Sequence, residues 1–110
     1  MTTSETTTAV LSTRQRQFLK GLAHSLTPYA QIGKEGLSEN LISAVSTELD
    51  RHELIKVKIV STSDLEKKAT AATLAERTRS CLVQLIGKTI VLYRPSLEKP
   101  KDKRIKLPSR

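Results

Sequence analysis

The chain has 110 residues and a mass of 12.2 kDa, with 19 Lys and Arg against 11 Asp and Glu, a formal net charge of +8 and a pI near 9.9. That is one domain's worth of chain, with 37% hydrophobic residues for a modest core and little area left for a deep, enclosed substrate cavity. No apolar run approaches the roughly 18 residues of a membrane span, no basic region followed by an apolar stretch marks a secretory signal, and the single cysteine, Cys81, excludes an internal disulfide and a multi-cysteine zinc site.

Residues 1–10 are rich in Thr and show no apolar period, so a disordered tail is expected there. Residues 13–24 read as a helix. Phe18, Leu19 and Leu22 share one arc, and Arg16, Lys20 and His24 follow at i, i+4, i+8 on the neighbouring arc. Thr27-Pro28 ends that helix, because the residue before Pro avoids the α region. Tyr29 to Ile32 is a short strand, and Gly33-Lys34-Glu35-Gly36 is a tight turn. Ser38 is a good N-cap for a second helix, with Leu37 placed to staple onto Ile42. Its expected buried stripe is Leu41, Ile42, Val45 and Leu49, and its outward face holds Glu39, Glu48 and Asp50.

Leu54 to Val60 is the clearest strand: Ile55, Val57 and Ile59 alternate with Lys56 and Lys58, which predicts one apolar face and one wet or ligand-facing side. Ser63-Asp64-Leu65-Glu66 is a capping-box pattern opening a third helix to about Ser80, with a stripe of Leu65, Ala69, Ala72 and Ala75. Residues 81–86 and 89–94 read as two strands joined by Gly87-Lys88, a type II′ hairpin signal. The predicted order αβαβαββ is a single α/β domain, residues 11–96, with a mixed sheet of about four strands and right-handed crossovers. Residues 97–110 are expected to form a flexible basic tail.

The charge is uneven. Residues 1–55 carry five basic and six acidic side chains, whereas residues 56–110 carry fourteen and five. Such asymmetry points to a polyanion. A membrane-surface helix would need a large apolar face with Trp or Phe, and the chain has no Trp and one Phe. Gly87-Lys88-Thr89 is not a nucleotide-binding loop, since Leu82 stands where its first Gly is needed and a strand follows the Thr. His24 and His52 lie near helix ends, Cys81 leads an apolar strand, and Glu48, Asp50 and Glu53 read as a solvated acidic face. No catalytic set, metal site or cofactor is expected. Gly33-Lys34-Glu35-Gly36 lies between strand and helix, where backbone N–H groups and Lys34 could meet a phosphate oxygen. The alternative is an ordinary turn whose glycines supply positive φ. The scattered aromatics Phe18, Tyr29 and Tyr93 favour recognition of backbone and shape over base stacking.

Four blocks carry a resemblance to a known family: residues 11–24 (LSTRQRQFLKGLAH), Gly33 to Leu37 (GKEGL), residues 52–59 (HELIKVKI) and residues 83–95 (VQLIGKTIVLYRP). In this order and spacing the chain resembles the CRM domain, above all its free-standing bacterial form, the YhbY family. The resemblance implies a fold like the C-terminal domain of translation initiation factor 3 and an RNA-contacting GxxG loop, Gly33, Lys34, Glu35 and Gly36. It also implies a non-enzymatic, cytoplasmic role on precursors of the large ribosomal subunit, with ribosomal RNA as partner. Arg16, Lys20, Lys56, Lys58, Lys88 and Arg94 lie within the matching blocks, and their charge and facing make them candidate RNA contacts on an expected monomer. A DNA-binding or general nucleic-acid architectural protein is the alternative. A metal-dependent nuclease and a protein-interaction module built on the acidic second helix are further rivals.

Overall fold

Ser12 opens the first helix of the computed structural model, which describes residues 11–33, 36–60 and 67–108. The Ser12 side chain accepts from the Gln15 amide at 3.1 Å, and the Gln15 side chain accepts from the Ser12 amide at 3.1 Å. This reciprocal cap starts α1 (Thr13–Ala23). The chain continues through β1 (Pro28–Ile32), α2 (Glu39–His52), β2 (Leu54–Ile59), α3 (Lys67–Thr78), β3 (Cys81–Ile86), β4 (Thr89–Tyr93) and a 3-10 turn, Lys101–Lys103. The predicted αβαβαββ order is observed.

The four strands lie in the order β1-β2-β4-β3. β1 runs parallel to β2, and β4 is antiparallel to both β2 and β3. The two crossovers, through α2 and α3, move the same way across the sheet, and both helices lie on one face. Ile42, Val45 and Leu49 of α2 and Ala71, Leu74 and Ala75 of α3 pack there on Ile32, Ile55, Val57, Ile59, Ile90 and Leu92. Each fully buried aliphatic side chain contributes about 1.5–3 kcal/mol.

The opposite face is covered in part. Leu19 and Ala23 of α1 pack with Leu11 on Leu54, Cys81, Val83, Val91 and Tyr93, and Ile105 and Leu107 close over the same cluster. The segment expected to be a flexible basic tail is therefore docked along this stretch. Its anchor is Glu53, which is fully buried and ends α2 with φ 67. One Glu53 carboxylate oxygen accepts from the Ser96 amide at 2.8 Å and the other from the Ile105 amide at 2.6 Å. Gln15 adds a bond to the Pro108 carbonyl at 3.0 Å. Glu53 is thus a buried anchor and not part of a solvated acidic face.

Two helical stripes also differ from expectation. In α1 the buried residues are Leu19 and Ala23, while Phe18 and Leu22 stay 38% and 40% exposed. The helix rests on the sheet along the side nearer its basic flank. In α3 the buried set is Ala71, Leu74, Ala75 and Thr78, and Ala69 and Ala72 face solvent. Arg79 ends α3 at φ 56, with its amide bonded to the Glu76 carbonyl and that of Ser80 to the Ala75 carbonyl. This pair of bonds is the αL-terminated Schellman motif, and it fixes the frame of the stripe from its C-terminal end. The capping-box residues Ser63 to Glu66, Leu65 of the expected stripe, and the Thr-rich residues 1–10 lie outside the described residues. Gly87 has φ 57, as the first central position of a type II′ turn requires.

Candidate functional site

The incomplete cover of the second face produces the site. Where α1 does not reach, Gln31, Lys58, Thr89 and Ile86 lie abreast in one row, since Gln31 pairs with Lys58, Lys58 with Thr89 and Thr89 with Ile86. Gln31 and Lys58 are exposed, and so is Ile86. Below this row a groove of about 370 Å³ separates α1 from the sheet. Gln17, Lys20 and His24 of α1 form one wall, and Lys56, Gln84, Ile86 and Val91 of the sheet form the floor and the other wall.

The glycine turn adjoins the same open end. The amide of Val60 bonds the Ile32 carbonyl at 2.8 Å, and that of Ile59 bonds the Lys88 carbonyl at 2.7 Å. These bonds bring the chain after β1, the end of β2 and the hairpin tip to one edge, with the Lys88 side chain exposed. Gly36 has φ 70, so the turn itself demands glycine there. Gly33 has no such demand: its φ is ordinary, and a Cβ would meet only the Val60 side chain at 4.0 Å. The Gly36 amide donates to the Gly33 carbonyl at 3.0 Å, and Ser38 caps α2 by accepting from the Leu41 amide at 3.1 Å. Gly36 thus lies two residues before the N-cap, and the Ser38 amide donates to its carbonyl at 3.1 Å. Lys34 and Glu35 lie outside the described residues.

The structure sorts the remaining candidates into two groups. Lys20 and Lys56 line the groove and Lys58 is exposed beside it. Lys56 gives one ammonium proton to the Leu26 carbonyl at 3.0 Å, which fixes its head at the groove wall. The arginines are engaged elsewhere. Arg16 Nη1 donates to the carbonyls of Leu82 and Val83 at 2.6 and 2.9 Å, where a register shift interrupts the edge strand β3. Arg94 lies apart from the open face. Its Nη1 donates to the Thr78 carbonyl at 2.6 Å and its Nη2 to the Ser46 carbonyl at 2.8 Å and the Asp50 carboxylate at 2.7 Å. It ties α2 to the end of α3, so its assignment as an RNA contact is corrected to a structural clamp. Asp50 is its counter-ion and not a free acidic side chain.

Gln17 and Gln84, which sequence reasoning passed over, face the groove from opposite walls. Their signal was weak because a neutral amide carries neither charge nor periodicity. His24 is the C-cap of α1. His52 ends α2, stacked under Tyr29 with ring centroids 4.4 Å apart and 3.3 Å from the Glu48 carboxylate. Among the described residues, no three of His, Cys, Asp and Glu come together in a way that could hold a metal ion.

An α/β domain with two helices on one face, a third half-covering the other and a glycine turn at the open end defines the class of the molecule. The CRS1 / YhbY (CRM) domain description matches residues 11–94, and the chain belongs to that family. It is 44% identical over 88 residues to an RNA-binding protein of Haemophilus influenzae, spanning 80% of this chain and 89% of that one. It is 42% identical over 99 residues to a protein of Bacillus subtilis named probable RNA-binding protein YqeI, spanning 90% and 100%. The solution structure of a hypothetical protein from Staphylococcus aureus superposes with a TM-score of 0.75 at 44% identity, over 90% of this chain and all of that one.

Proposed function

We propose that this protein binds RNA without chemically altering it, and that it acts in the cytoplasm on ribosomal RNA during assembly of the large ribosomal subunit. The observation that carries the reading is a cluster of positive charge on the open face. Lys20 and Lys56 line a groove that holds no acidic side chain among the described residues, Lys58 is exposed beside it, and Lys88 stands at its edge. An electropositive surface of this kind attracts phosphates in proportion to the counterions it releases. The relatives' RNA-binding names support RNA as the partner. The ribosomal role follows the resemblance to bacterial YhbY proteins. Gly33, which neither its backbone nor its surroundings require to be glycine, lets a phosphate approach the turn closely, with Lys34 supplying charge.

The test replaces Gly33 and Lys34 with Ala and spares Gly36, whose left-handed backbone would be strained by a side chain. Affinity for structured ribosomal RNA should fall severalfold with an unchanged circular dichroism spectrum. Log K should fall with log salt by about 0.7 per phosphate contact on single strands. Full retention of binding in the variant would show that the loop is only a turn. Equal affinity for duplex DNA would favour the architectural alternative.

A further inference from the structure

We propose that the groove between α1 and the open half of the sheet receives one unpaired nucleotide of the bound strand, with the side-chain amides of Gln17 and Gln84 reading the base edge. The inference rests on the RNA-binding reading and adds to it a place where strandedness is sensed.

A nucleotide combines an apolar ring face, a polar ring edge and an anionic phosphate, and the groove is divided the same way. Ile86, 53% exposed, offers aliphatic contact for a ring face, with the buried Val91 packed beneath the groove floor. Gln17 and Gln84 each present a carbonyl acceptor beside an NH₂ donor, the pairing that suits a base edge bearing one donor and one acceptor. Neither amide is bonded to another described residue. Lys20 and Lys56 stand on the same walls, and Lys56 keeps two ammonium protons for a phosphate after bonding Leu26. The groove's volume of about 370 Å³ lies at the small end of ligand pockets, suited to one nucleotide and not to a base pair.

Gly21 adds an independent sign. Glycine inside a helix costs about 1 kcal/mol relative to alanine. Here a Cβ would meet nothing within 4 Å, and the backbone is ordinary helix. Packing does not require glycine at this position. Its effect is to keep the α1 wall low where that wall borders the groove. In a duplex a base has its Watson–Crick edge paired and its ring faces stacked, so only an unpaired nucleotide can offer both to the groove. Among the described residues the lining holds no Phe, Tyr or Trp and His24 as its one ring, so recognition here rests chiefly on edge bonds and aliphatic contact.

The experiment measures binding of the full chain to a 12-nucleotide single-stranded RNA and to a blunt duplex of the same sequence. The proteins are the wild type, a Gln17→Ala/Gln84→Ala variant and a Gln17→Glu variant at an exposed helix position. Loss of good edge bonds should weaken single-strand binding about tenfold in the double variant and leave duplex binding within twofold. Gln17→Glu should lower single-strand affinity more than duplex affinity. Adenosine and guanosine monophosphates added to the wild type should shift the NMR amide signals of Gln17, Lys20 and Gln84. Unchanged single-strand binding in the folded variants, equal losses on both RNAs, or nucleotide shifts confined to other surfaces would overturn the groove assignment. Failure of the wild type to bind either RNA would overturn the RNA reading itself.

Discussion

The two faces of the sheet are built from the same strands and end in opposite states. On one face α2 and α3 bury a continuous aliphatic layer, and Arg94 ties α2 to the end of α3. On the other, α1 and the docked C-terminal segment cover Leu54, Cys81, Val83 and Tyr93 but leave the far row wet. The difference teaches where positive charge becomes available. Arg16, Arg77 and Arg94 use planar, multi-donor heads to bind carbonyls or carboxylates within the fold. Lys20 and Lys58 stand on the uncovered side with no such partner among the described residues. Net charge alone does not separate these groups; cover does.

The largest way to break the closed face is to empty its centre. Ile55 is fully buried between the helices and the sheet. Ile55→Ala should cost about 2–5 kcal/mol of unfolding free energy, read from urea denaturation. Next comes Arg94. Arg94→Ala removes bonds to Thr78, Ser46 and Asp50 and leaves the backbone carbonyls of Thr78 and Ser46 without that partner, for a loss of about 2 kcal/mol. Arg94→Lys keeps the charge but not the fork and should recover only part of it. RNA affinity of the folded protein should match wild type in both. A drop in affinity that follows the loss of Arg94 charge would place that side chain on the RNA and break the comparison of faces.

The sequence shows the closed face more plainly than the open one, for physical reasons. Alternation in residues 54–60 and the spacing of Ile42, Val45 and Leu49 report burial directly, because apolar periodicity is what a covered face requires. The glycine turn and the hairpin are also visible, since Gly36 and Gly87 need positive φ. Glu53 looks like a solvated acid because its partners, the amides of Ser96 and Ile105, lie 43 and 52 residues away. Arg94 looks like an RNA contact for the same reason. A cation's sequence neighbours do not reveal that a carbonyl from another helix reaches it. The groove was hidden because it arises where α1 stops covering the sheet, and a helix's docking angle leaves no mark in its own periodicity beyond the side it buries. Phe18 and Leu22 illustrate this: they share an arc with Leu19, yet the helix leans away from them.

An effect of similar size, confined to high pH, sharpens the covered part of the second face. Burial of the Tyr93 phenol, followed by the nearby Glu53 carboxylate and Cys81, pushes its pKa up from 10.0 to about 12. The fold therefore holds the neutral phenol. The associated stability is fully present below pH 10 and is lost as pH rises through 12, on the order of 2–3 kcal/mol. Denaturation midpoints should fall across that window, and Tyr93→Phe should flatten the fall. The same slope with Phe in place would assign the loss to lysine titration.

The smallest effects test the open half. Lys58→Gln and Lys20→Gln each remove one exposed or groove-lining charge without emptying a packed site. Unfolding free energy should stay within about 0.5 kcal/mol of wild type. Each should reduce the salt slope of single-strand binding by about 0.7. The affinity loss should be similar across RNA sequences, because a phosphate contact carries position and not base identity. The Gln17→Ala/Gln84→Ala pair should do the reverse, changing preference between single strand and duplex while leaving the slope alone. Charge and edge recognition on one face would then separate as two measurable quantities. A lysine variant that altered strand preference, or a glutamine variant that altered the slope, would mean the lysines and the glutamines act on the same atoms of the RNA.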